Sequence, residues 1–162
     1  MADDRLGSDE RLTHARTVLA APLRARRSPV SEGRNLGRQL YLAGQVAQRG
    51  DELVAVGRVG DEIDLELARA CARQCALNLL DAAATELGTL GLVRSVVRLA
   101  VYVASAPGFV EQHLVADAAS DVFAEVLGGD PPVRVALGVA SLPLGSPVEV
   151  DAVLDLAASE ER

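Results

Sequence analysis

Residues 65–87 carry an uninterrupted helical stripe. Leu65, Ala68, Ala72, Cys75, Leu79, Ala83 and Leu87 recur at three- and four-residue intervals, while Arg69, Arg73 and Glu86 fall on the other side. A helix that is apolar on one face only must lay that face on another layer. The rest of the chain supplies strands for it. Gln39 to Val46 reads as one, followed by a turn at Arg49-Gly50-Asp51 and a partner strand over Glu52–Val56. Gly88 closes the long helix, and Arg94–Ser105 then alternates, with Val97, Leu99, Val101 and Val103 sharing a face. Pro107 opens a second helix, about 109–127, with Val115, Ala119, Val122 and Val126 inward and Gly128-Gly129 as its stop. Val133–Ala140 and Val148–Leu156 are the last two strands. The predicted class is α+β, a sheet with two main helices on one face.

Ahead of this lies an extension, residues 1–38, and the domain proper is expected over 39–158. Ser8 is placed to cap a helix over 9–20 with Leu12, Ala15 and Leu19 on one side, ended by Pro22. Residues 23–38 are arginine-rich and turn-prone, with Pro29, Gly33 and Gly37, and read as a solvated connector. Along the strand from Val133, one face holds Arg134, Ala136, Gly138 and Ala140 and the other Val135, Leu137 and Val139. The larger set is expected to meet the helices. The small set then suits close approach of another surface, which points to an oligomer.

Composition removes several functions. The 23 acidic residues outnumber the 16 basic ones, for a net charge of -7. A nucleic-acid partner is therefore not expected, although Arg24, Arg26, Arg27, Arg34 and Arg38 cluster near one end. Every basic residue is arginine, which excludes Schiff-base chemistry through lysine and a Walker-type phosphate loop. Cys71 and Cys75 fall on one side of the long helix and are expected to be buried and free. With only His14 and His113 besides, no metal-ligand spacing emerges, and neither metal nor organic cofactor is expected. The longest apolar run, Leu99 to Ala104, is far short of the roughly 20 residues of a membrane helix, so a cytoplasmic protein is expected.

Several segments together resemble the RidA/YjgF family, also called endoribonuclease L-PSP-like. They are Tyr41-Leu-Ala-Gly-Gln-Val46; Cys75-Ala-Leu-Asn78 with Leu87-Gly88; Ser120-Asp121 with Glu125-Val-Leu-Gly128; and above all Pro132-Val-Arg134-Val-Ala136-Leu-Gly138 through Leu142-Pro143 to Val148-Glu149-Val150. The resemblance implies a chorismate-mutase-like fold, a homotrimer with sites between subunits, and hydrolysis of 2-imino or enamine acids to 2-keto acids and ammonia. It implies Arg134 as the anchor for the carboxylate of a small substrate, which suits the planar fork of a guanidinium. Glu149 would act on the attacking water as acid and base. Gly44, Ala43, Ala136 and Asp117 would line the site. This chain departs from the family in having Ala43 for a serine, Ala136 for a cysteine and Asp117 for an asparagine. A trimeric binding module without turnover, and more remotely a ribonuclease, are the other readings.

Arg134 and Glu149 are not brought together by strand parity. A tight hairpin through Pro143–Pro147 would set Glu149 opposite Ser141, seven residues from Arg134 and roughly 23 Å away. Either the connection is looser or the two residues meet across different chains.

Overall fold

The structure is a computed structural model and describes residues 7–18 and 31–157. In chain order the elements are α1 (Ser8–Val18), β1 (Gly33–Asn35), β2 (Gln39–Val46), β3 (Gln48–Arg49), β4 (Glu52–Leu53), α2 (Leu65–Leu87), β5 (Val93–Ala104), α3 (Gln112–Leu127), β6 (Val133–Val139) and β7 (Val148–Leu156). Five strands form one mixed sheet in the order β1-β2-β7-β5-β6. Every pairing is antiparallel except β5 with β6. Helices α2 and α3 cover one face, so the expected α+β class and helix placement hold.

The long helix forms where its stripe predicts. The Asp64 side chain accepts a hydrogen bond from the Leu67 N–H at 2.8 Å, and Gly88 closes the other end in the left-handed conformation. Cys71 and Cys75 are buried in it as free thiols. Burial pushes the Cys71 thiol up to about 11 and Cys75 up as well. Two buried amides on the same helix have structural work. Gln74 donates to Asn78 at 2.9 Å, and Asn78 donates to the Val46 and Gln48 carbonyls at 3.1 and 2.9 Å, tying the exit of β2 to the helix.

Helix α3 starts at Gln112, later than the expected 109. Gly108, at φ +87°, turns the chain, and the Phe109 N–H bonds back to the Ala106 carbonyl. Phe109 then packs so closely over Gly60 that a β-carbon there would lie 3.1 Å from it.

Four further expectations are corrected. Residues 33–35, read as connector, form β1, an edge strand paired with Leu40–Leu42. The strand expected over 52–56 is only β4, which pairs with β3 in a separate two-stranded ribbon. On β5 the buried residue is Val96, and Val97 is exposed. A bulge between Val96 and Arg98 inserts Val97 as an extra residue and reverses the alternation there. Finally, the two faces of β6 are the reverse of those predicted. Arg134 and Gly138 meet α3 and Ser105, whereas Val133, Val135 and Leu137 lie 69%, 39% and 50% exposed on the sheet face without helices. The physical reason is the close approach of α3, whose Gln112 amide leaves no room for a β-carbon at Gly138.

Helix α1 is docked on α2 and α3. Leu12 and Ala15 are buried, and the Arg11 Nε donates to the Val126 carbonyl at 2.8 Å. Asp9 accepts from the Thr89 hydroxyl at 2.6 Å and the Leu90 N–H at 2.8 Å, and these bonds hold its carboxyl below the usual range. Arg16 pairs with Asp81. Leu19, Pro22, Arg24, Arg26, Arg27 and Pro29, singled out in the sequence, lie outside the described residues. Among the described residues no helix is long and apolar enough to cross a membrane.

Candidate functional site

The residues singled out in the sequence fall into two clusters on opposite faces of the sheet. The first surrounds Arg134 on the outermost strand, β6, level with Leu99 on the helix-covered side. Its Nη1 donates to the Ser120 hydroxyl at 2.9 Å. Its Nη2 lies 2.9 Å from the Asp117 carboxylate and 3.5 Å from the His113 carbonyl. His113, Asp117 and Ser120 are spaced four and three residues apart, so one face of α3 presents all three groups to the strand. Asp117, expected near the site, is thus in direct contact with Arg134. Ser120 and the His113 carbonyl were not foreseen, although the helical spacing from Asp117 carries the signal. Ala136 follows on the same face, partly buried against the core.

The second cluster surrounds Glu149. Between Leu42 and Gln45 strand β2 carries one residue more than β7, so Ala43 and Gly44 share the place opposite Asp151. Glu149 lies against the bulged backbone. A β-carbon at position 44 would sit 2.2 Å from its Oε1. Burial, and then the Asp151 carboxylate two residues on, push the Glu149 carboxyl above its ordinary value. Tyr102 is its cross-strand neighbour on β5. The Tyr102 hydroxyl donates to Asp151 at 2.9 Å, and Arg98 reaches the same carboxylate at 3.3 Å. That hydrogen bond raises the Tyr102 phenol as well. Ala43 is fixed through its N–H to the Glu32 carbonyl at 2.9 Å.

Within one chain these clusters do not meet. β6 and β7 form no hairpin, because β5 lies between them. Arg134 is level with Leu99 and Glu149 with Tyr102, three residues further along β5 and on the other face. Two strand spacings and three residues of rise separate them by about 14 Å. Two cavities formed by the described residues are lined by neither Arg134 nor Glu149. One of about 230 Å³ lies beyond Ser120, walled by Val96, Phe123, Ala124 and Pro132. The other, about 170 Å³, lies between Val56–Arg58 and Ala140–Leu142.

Comparison with known proteins gives these clusters a context. Residues 21–155 match the family described as Endoribonuclease L-PSP. Protein TCP17 of Trypanosoma cruzi is 39% identical over 122 residues, which is 74% of this chain and 76% of that protein. The crystal structure of protein Atu1372 from Agrobacterium tumefaciens is 34% identical and superimposes with a TM-score of 0.84 over 93% of this chain and 96% of that one. The structure of TdcF from E. coli with bound serine is 18% identical and shares the fold, with a TM-score of 0.59 over 86% of this chain and 95% of that one. The match over residues 21–155, together with relatives above 30% identity along most of the chain, makes this protein a member of the Endoribonuclease L-PSP family, the RidA/YjgF family.

Proposed function

We propose that the protein hydrolyses small 2-imino acids to 2-keto acids and ammonia, at sites shared between the copies of a homotrimer. The observation that carries this reading is the placement of its two chemical groups. Arg134 is a fixed donor fork on the outer strand, and Glu149 is a half-buried carboxyl with raised proton affinity on the open face. About 14 Å and a sheet separate them in one chain. A ring of copies, setting the β6 edge of one against the Gly44–Glu149 region of the next, unites them. The exposed Val133, Val135 and Leu137 support that assembly, since a lone chain leaves this apolar face in water.

In this reading Arg134 anchors the substrate carboxylate through charge-assisted hydrogen bonds. Glu149 takes a proton from the water that attacks the imine carbon and returns it to nitrogen as the C–N bond breaks, and the remaining hydroxyl proton passes to the departing ammonia. The sum converts C=NH₂⁺ and H₂O into C=O and NH₄⁺. A carboxyl whose affinity for the proton burial raises above its ordinary value suits both halves of that transfer. Serine bound to TdcF, a protein of the same fold, supports a small amino-acid-like ligand.

The test is ammonia release from imino acids generated in situ by an amino-acid oxidase. Acceleration by the protein is expected, with loss in Arg134→Ala. Losing charge-assisted hydrogen bonds should weaken binding of small 2-substituted acids by roughly 10- to 100-fold. Carboxylate binding without any acceleration would replace the enzyme reading with that of a binding module.

A further inference from the structure

Arg134 already holds a carboxylate, and that carboxylate belongs to this chain. The Asp117 Oδ1 lies 2.9 Å from Nη2, Ser120 occupies Nη1 at 2.9 Å, and the His113 carbonyl approaches Nη2 at 3.5 Å. Both charged groups remain open to an incoming molecule, with side-chain exposures of 23% for Arg134 and 46% for Asp117. The half-site is a plus and a minus charge side by side.

That pairing decides which small acid gains by binding. A 2-keto acid brings only a carboxylate. At the Nη2 donors of Arg134 it competes with Asp117, exchanging one carboxylate for another, and it then lies beside the charge of that residue. An acid with a protonated nitrogen on the carbon next to its carboxylate replaces both partners at once. Its carboxylate takes the guanidinium, and its N–H groups take Asp117. We propose that Asp117 is a specificity-determining residue, which fits this site to 2-amino and 2-iminio acids and selects against 2-keto acids. The proposal rests on the reading of Arg134 as carboxylate anchor. Under the deaminase reading it adds a consequence: hydrolysis turns the cationic nitrogen into a neutral carbonyl oxygen, so the product loses its contact with Asp117 and is released.

The experiment is calorimetric titration of the full chain with pyruvate and with each enantiomer of alanine, which share a three-carbon skeleton. Wild-type protein should bind one or both alanines at least about tenfold more tightly than pyruvate, as expected for a charge-assisted contact made by one ligand only. Asp117→Asn, of nearly identical shape, should weaken alanine, strengthen pyruvate and bring the ratio close to one, with an unchanged melting temperature. A wild-type preference for pyruvate, a ratio unmoved within twofold by Asp117→Asn, or no binding of either ligand to wild type overturns the proposal. Ammonia release separates it from the reading beneath. Turnover lost in Arg134→Ala with an unmoved ratio removes only the role of Asp117. A ratio that collapses in Asp117→Asn without any turnover keeps that role and removes the deaminase.

Discussion

Glu149 rests on the backbone of Gly44 so closely that a β-carbon at position 44 would lie 2.2 Å from its Oε1. The clash partner is the end of a flexible side chain, so the fold can absorb it while the carboxyl cannot keep its position. Gly44→Ala should therefore melt within a few degrees of the parent. Its imine hydrolysis should fall by about 10²-fold, because a displacement near 1 Å in a reacting group has that effect. Thermal melting and ammonia release measured together check this; an unchanged rate would mean that Glu149 does not act from this position.

The same carboxyl links stability to pH. Its folded-state proton affinity lies above the ordinary value of 4.5, first through burial and then through Asp151. A group raised in this way favours the fold below its unfolded value, and the contribution is lost as pH rises through the folded one. Glu149→Gln removes the contribution. The melting temperature of the variant relative to the parent should rise between about pH 4 and pH 7. A difference flat over this range would place Glu149 in water. At the upper pH the variant should also have lost turnover while keeping affinity for small acids within a few-fold, since proton transfer acts in the transition state.

Leu137 and Tyr102 are level on the open face, with Val135 beside them. If copies of the chain close over this face, Leu137→Asp places a charge in the interface without disturbing the helix-covered core. The parent should then run in solution at three times the chain mass of 16.9 kDa and the variant at one. Light scattering at micromolar concentration decides this. A parent of single-chain mass would sink the shared site together with the trimer.

Local pattern in the sequence determined the class of this protein. The stripe from Leu65 to Leu87 and the alternation of β7 survive into the structure because burial on one face dictates both periods. The resemblance around Arg134 and Glu149 pointed to both residues and to Asp117. What the sequence could not supply was the order of strands. Only the tertiary structure inserts β5 between β6 and β7, which abolishes the hairpin and sets Arg134 and Glu149 two strands apart. It also decides which side of β6 is covered. Both faces of that strand alternate equally well, and the outcome turns on α3 packing against Gly138 and offering Asp117 and Ser120 to Arg134. Bulges at Ala43–Gly44 and Val97 are of the same kind: one extra residue reverses an alternation, and the partner strand alone determines where it falls.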